Sequence, residues 1–267
     1  MKKLKILILL LNLFSVEIIL SQNCNYQEYN NFVELGKKEK LSGNLKEANK
    51  YFQLAFENTD FPFGNDLSYA LETAIQVKDK VFMEKIAVKL AKGGIPKEFF
   101  EKFESYKWHN TFIAEFPNYQ KYYSENFNQE LKKSLIELER YDYTATSHFH
   151  EWRTRKIEHS TDTLVSEFTK VSKRFQNIVE KFGFPTERNF GYYYNKKRVY
   201  ELPTFVLLVH IYQRGELLYI DKLNQLYCDG NLNYYQSNQL LTIRGFGNSS
   251  GIYQEMQARK KKFRKNE

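Results

Sequence analysis

The chain has 267 residues, 42% apolar and 16% aromatic, enough to bury one large core or two small ones, and this excludes an intrinsically disordered protein. Five prolines and twelve glycines leave little material for long flexible linkers, and two cysteines exclude a disulfide-dense miniprotein. A net charge of +8 is concentrated at the two ends of the chain and so does not by itself call for nucleic acid.

The first 21 residues differ from the rest. "MKKLK" is a basic stretch, "ILILLLNLFSVEIIL" is an apolar core interrupted by Asn12 and Glu17, and Ser21 suits the position before a cleavage point. This is the pattern of a secretory signal peptide. An uncleaved anchor is the rival reading, but the apolar run falls short of the roughly 20 residues a spanning helix needs. Lipid attachment at Cys24 is a third, with "SQN" a poor match to a lipobox. The expectation is export to the periplasm or the exterior, with cleavage near Ser21. Cleavage would remove three lysines and one glutamate and lower the net charge to +6. The basic tail at 258–267 contributes to that charge; it suits weak contact with anionic surfaces or a solvated end.

Residues 32–62 read as two helices around a turn. The first is expected from about Asn30 to Leu41, the second from about Asn44 to Asn58, with Gly43 between them. Phe32, Leu35 and Gly36 are spaced i, i+3, i+4, and Ala48, Phe52 and Ala55 are spaced i, i+4, i+7. Gly36 and Ala48 are the small residues that let two helices cross closely, with the larger ones packing beside them. The order aromatic, Leu-Gly, Gly, Ala, aromatic, Ala resembles the tetratricopeptide repeat, with Glu39 in place of its tyrosine and the closing proline late, at Pro62. The resemblance implies a helical-hairpin array with a groove for a peptide or protein, and it names no partner. A shift of 35 residues finds Leu67, Ala70, Leu71, Met83, Ala87 and Leu90, so "DLSYALETAIQV" and "DKVFMEKIAVKLAKGG" form a second pair, stopped by Gly93-Gly94. A degenerate third unit runs from Lys97 to about Ser124, broken by Pro117.

Further on, "NQELKKSLIELERYDY" puts Leu131, Leu135 and Leu138 on one helical face. "DTLVSEFTKVSKRFQNIVEKFGFP" has a stripe of Leu164, Phe168, Val171, Phe175, Ile178 and Phe182, with Asp162 as N-cap, Gly183 as left-handed stop and Phe184 folding back. "LPTFVLLVHIYQRG" suits a strand by composition and a helix by its Pro203 and Gly215 ends, and the ends favour a helix. "ELLYIDKLNQLYCDG" and "YYQSNQLLTIRGFG" complete the helices, the former with Leu217, Ile220, Leu223 and Leu226 inward. The fold class is therefore all-α: a short tetratricopeptide-like array (22–125) packed on a C-terminal helical domain (126–257).

This second half resembles an uncharacterised helical domain of exported and envelope-associated bacterial proteins. The marks are Asp142 closing a Leu-rich helix, "KFGFPTERNFG", "VLLVHIY" and "CDGNLNYYQSNQLLTIRGFG". Where that pattern has Gln and then Arg after the acidic residue, this chain has Tyr143 and Ser147. Where it has an Asp-Arg pair, this chain has Ile243-Arg244. The resemblance implies that a polar site of that domain is reduced here.

Chemistry is sparsely marked. Asp142 and His210 are the one pair that could support general-base work; the alternative is an inert core histidine, and no G-x-S-x-G or comparable nucleophile motif accompanies them. His148, His150 and His159 lack metal-ligand spacing, and no metal or cofactor is expected; with Glu151 and Glu158 they suit a second acidic-imidazole cluster or, better by composition, a solvated loop and helix. Tyr192, Tyr193, Tyr194, Lys196, Lys197 and Arg198 in "GYYYNKKRVY" suit a ligand face of rings and cations, or equally a loop packed by its own tyrosines. Cys24 and Cys228 are permitted a disulfide, with nothing to show that they meet. The functional expectation is a non-catalytic interaction module of a cell envelope, with a hydrolase-like enzyme on Asp142 and His210 as the alternative.

Overall fold

The computed structural model describes Cys24 and residues 26–154, 160–195, 197–200 and 203–250, with side chains up to position 243. The signal segment, Glu158, His159, Lys196 and the basic tail lie outside the described residues. The fold is all-α, with one small two-stranded sheet.

Helix α1 (Gln27–Leu41) and helix α2 (Leu45–Glu57) form the first hairpin, turned at Gly43, whose φ of 81° is left-handed backbone. Ala48, Phe52 and Ala55 are fully buried, and a Cβ on Gly36 would fall 3.0 Å from the Phe52 ring. The shared face differs in one residue from expectation. Leu35 is 38% exposed, and Tyr29 and Val33 are buried in its place, so the α1 stripe is Tyr29, Val33 and Gly36. Helices α3 (Gly64–Val77) and α4 (Lys80–Lys92) repeat the arrangement, with Leu67, Ala70, Met83, Ala87 and Leu90 all buried.

The third unit is not broken at Pro117. Two short 3₁₀ turns (Lys97–Phe99 and Glu101–Phe103) lead into an uninterrupted helix α5 (His109–Asn126) that contains the proline. Pro117 is exposed, directly after buried Phe116, so its missing N–H is on the solvent side, where water can satisfy the freed carbonyl.

The second core is built on a long helical pair. Helix α6 (Gln129–Arg153) does not end at Asp142; it buries Leu131, Leu135, Leu138, Asp142, Ala145 and Phe149, a stripe that steps by four and three residues in turn. Helix α7 (Thr161–Phe182) packs against it through Leu164, Phe168, Val171, Phe175 and Ile178. The N-cap is Ser160, whose Oγ accepts from Thr163 N at 3.1 Å, two residues before the expected Asp162. Gly183 has φ 78°, and Phe184 folds back edge-on to Phe175.

After the short helix α8 (Glu187–Phe190), strands β1 (Tyr193–Asn195) and β2 (Arg198–Tyr200) pair antiparallel, Tyr193 opposite Tyr200. Helix α9 (Pro203–Gln213) confirms the helical choice for that segment. The next helix is shorter than expected. Tyr219 takes φ 60° and packs on Phe175 and Phe184, which leaves a 3₁₀ turn (Ile220–Lys222) and helix α10 (Leu223–Cys228). Helix α11 (Tyr234–Ser250) closes the described chain. No described helix is long and apolar enough to cross a membrane.

The two halves are joined by a clasp: Tyr192 and Val199, from the second half, are buried in the first core. The Tyr192 ring sits between Gly64 and Gly93, stacks on Phe61 at 5.0 Å, and its hydroxyl donates to Pro62 O at 2.9 Å. Its N–H donates to Gly93 O at 2.7 Å. Glu187, 4% exposed, accepts from Gly64 N at 2.7 Å and so places a carboxylate on the α3 N-terminus. At the start of α1, a disulfide joins Cys24 to Cys228, and Tyr26 N donates to Cys228 O at 3.2 Å.

Candidate functional site

Several places among the described residues bring chemistry-bearing side chains together. The first is a polar cluster between α6 and α9. Asp142, at a core position of the α6 stripe, is 2% exposed, and its Oδ2 meets His210 Nδ1 at 2.5 Å. Its Oδ1 lies 2.7 Å from Nη1 of Arg214, a side chain 3% exposed. This is close ionic contact without the alignment of a hydrogen bond, since neither atom has a hydrogen-bond partner. Arg214 also donates through Nη2 to Thr146 Oγ1 at 2.8 Å and stacks on the Phe168 ring at 4.1 Å.

The expected Asp142–His210 pair is thus assembled, and the His210 side chain keeps 29% exposure. Arg214 is the member sequence reasoning missed, and a signal for it exists. Asp142 and Thr146 are four apart on one helix, His210 and Arg214 four apart on the next segment, so two polar pairs face each other across apolar stripes. Chemically the cluster reads first as a buried charge compensated by a buried counter-charge. Among the described residues no hydroxyl or thiol is hydrogen-bonded to His210, and both cysteines are in the disulfide. On α6, the His148 imidazole meets Glu167 of α7 at 3.0 Å. No group of three or more histidine, cysteine or acidic side chains among the described residues could hold a metal.

The second place is an open cavity of about 640 Å³ where β1 faces the outer side of α6. Glu139, Arg140 and Tyr143 line it from the helix, Tyr193, Tyr194 and Asn195 from the strand. Tyr193 donates to Glu139 Oε2 at 2.8 Å. Burial, reinforced by that carboxylate, pushes the Tyr193 hydroxyl up to about 12. Tyr194 stands edge-on to Phe99 at 6.0 Å. The expected face of rings and cations is therefore divided. Tyr192 is 1% exposed and belongs to the first core, because two glycines leave the slot its ring fills. Lys197, at φ 65° in the hairpin turn, and Arg198 are exposed and do not line the cavity.

Under the hairpin, Lys132 donates to Tyr123 Oη at 2.7 Å and to Tyr192 O at 3.0 Å. Burial holds its ammonium down to about 8, with Glu187 opposing the shift.

On the repeat half, α1 and α3 present a mixed face. Lys40 Nζ lies 4.9 Å over the Tyr69 ring and 2.7 Å from Glu72 Oε2; Lys37 lies 5.8 Å over the same ring and bonds buried Asp66 at 3.0 Å. Lys102 covers Phe99 at 4.0 Å. Comparison with known protein families, with characterised proteins and with solved structures gives no match, so geometry alone carries the functional reading.

Proposed function

We propose that the chain is an exported, non-catalytic interaction module of a bacterial cell envelope, which binds a peptide or protein partner through the groove of its tetratricopeptide-like hairpins. The observation that carries this reading is the α1–α3 face. Tyr69 is 43% exposed between two lysine ammoniums, with Glu72 beside them. Such a face offers stacking, cation and carboxylate contacts to an extended chain. The clasp from the second half grips the opposite features, the helix ends at Tyr26, Gly64 and Gly93, and leaves this face open. The Cys24–Cys228 disulfide supports an oxidising compartment. The buried Arg214 beside Asp142 supports a structural rather than catalytic use of the His210 pair, because it neutralises the carboxylate that would polarise the imidazole.

The test is selection of a random peptide display library on the immobilised protein. Enriched peptides should lose affinity to Tyr69→Ala and Lys40→Ala and keep it to Lys50→Ala, an exposed lysine on α2, and to His210→Ala. Peptides indifferent to Tyr69 and Lys40 would overturn the groove reading. Turnover of a generic ester or amide substrate that is abolished by His210→Ala would favour the enzyme.

A further inference from the structure

The cavity between β1 and α6 is separate from the repeat face, and its lining has a chemistry of its own. Helix α6 carries two stripes. One is the apolar stripe of the second core; the other is Ile136, Glu139, Arg140 and Tyr143, which looks toward the hairpin. Tyr143 is 73% exposed, so its ring is open to a ligand at the rim of the cavity. Three tyrosine rings thus border the same bowl, two from the strand and one from the helix.

Between the rings stand planar polar groups of mixed sense. Glu139 accepts, Arg140 donates, and Asn195 does both. The formal charges of Glu139 and Arg140 cancel, so the cavity is not built for an anion. Its volume, about 640 Å³, is in the range of small-molecule sites. The strand beside it has three residues, too short to dock an extended peptide by strand addition.

A ligand that fits must have hydroxyls that both donate and accept, and flat C–H faces that lie on aromatic rings. We infer that this cavity binds a short neutral oligosaccharide, with Tyr143 and Tyr194 as stacking platforms and Glu139, Arg140 and Asn195 as hydroxyl partners. The Tyr193–Glu139 hydrogen bond fixes the carboxylate before a ligand arrives, which lowers the entropy lost on binding. The high Tyr193 value agrees with a hydroxyl that stays a donor across the physiological range.

The test uses an array of defined neutral oligosaccharides (β-linked glucose and N-acetylglucosamine chains, α-linked glucose and mannose chains), followed by calorimetry on those retained. At least one chain type should bind. Tyr143→Ala and Glu139→Gln should each weaken it on the order of tenfold. Neither should shift the melting temperature appreciably, since Tyr143 is exposed and glutamine still accepts from Tyr193. Tyr200→Ala, on the far strand, and Lys40→Ala, on the repeat face, should leave sugar binding unchanged, so the outcome does not depend on the peptide groove. No retention at millimolar sugar would overturn the inference. So would sugar binding undiminished in Tyr143→Ala, or display peptides whose affinity depends on Tyr143.

Discussion

Removing the Tyr192 ring tests how the two halves are held together. The side chain is 1% exposed, and a Cβ on Gly93 would fall 2.2 Å from it. Truncation of a buried aromatic to alanine costs about 3–5 kcal/mol. The carbonyl of Pro62 also loses its donor, which adds about 1–2 kcal/mol. Tyr192→Ala should therefore lose about 5 kcal/mol, and at about 2–4 °C per kcal/mol the melting temperature should fall by roughly 10–20 °C. Tyr192→Phe keeps the ring and loses only the hydroxyl, so it should cost about 1–2 kcal/mol.

The chain supplies its own assay. It has two tryptophans, Trp108 buried in the first core and Trp152 beside Phe149 in the second half. Single-tryptophan versions made with Trp108→Phe and Trp152→Phe report each half separately. In urea the two signals should share one midpoint when Tyr192 is present. They should separate in Tyr192→Ala, because the ring is a fully buried apolar link from the second half into the first core. Superimposed transitions in Tyr192→Ala, or a midpoint equal to that of the parent, would refute the clasp.

Other expectations follow from single contacts. Ala48→Arg, at a fully buried crossing, should cost several kcal/mol, whereas Lys46→Ala should cost about 0.5 kcal/mol or less; urea midpoints distinguish them. Asp142→Ala strands the Arg214 charge in the core and should cost about 3–5 kcal/mol by thermal melting, and Asp142→Leu combined with Arg214→Met should recover most of it. Cys24 and Cys228 close a loop of 204 residues, so reduction should lower stability by up to about 5 kcal/mol, read as a fall in urea midpoint with reductant. Stability should also depend on alkaline pH. From about pH 8 the folded state loses the Lys132 proton that the unfolded chain keeps to about 10.4, so the unfolded state binds more protons and stability rises. From about pH 10 to about 12 the folded state keeps the Tyr193 proton that the unfolded chain loses, so stability falls. The midpoint profile should peak near about pH 10, and Lys132→Met should flatten its rising limb.

What could be read from the chain was local. The α1–α2 and α3–α4 hairpins follow from spacing within about 30 residues, and so do the α6 and α7 stripes. What the chain did not show lies where a distant group decides. Gly93-Gly94 does stop α4, at Lys92, but only Gly94 needs left-handed backbone, at φ 92°; Gly93 has ordinary φ and is glycine because Tyr192 occupies its side-chain space. Pro117 reads as a breaker because its solvent-facing position is set by the packing of Phe112 and Phe116. The Asp142–His210 pairing was legible from residue type, but the charge that dominates its surroundings, Arg214, lies 72 positions beyond Asp142 and reads as a surface residue after a helix. The cavity was half legible. "GYYYNKKRVY" marked the strand side, while Tyr143 on α6 was marked only as a departure from the pattern of the resembled domain.

The way the halves meet explains why so short an array is stable. A stack of two helical hairpins exposes apolar surface at its ends, and repeat proteins usually cover it with a terminal cap. Here α5 covers one end. The second half does something different: it grips an edge. Tyr26 at the start of α1, Gly64 at the start of α3, and Gly93 at the end of α4 are all helix termini, and each receives a group from the second half. At the opposite end of α1, a Cβ on Gly43 would meet nothing within 4 Å. Helix termini are where backbone N–H and C=O groups lack partners, so donors and acceptors supplied there satisfy groups that no further repeat could reach. Glu187 on Gly64 N and Tyr192 N on Gly93 O are such supplies, separated in sequence by well over 90 residues. These contacts hold helix ends of both hairpins and leave Tyr69 43% exposed, the arrangement that the proposed binding groove requires.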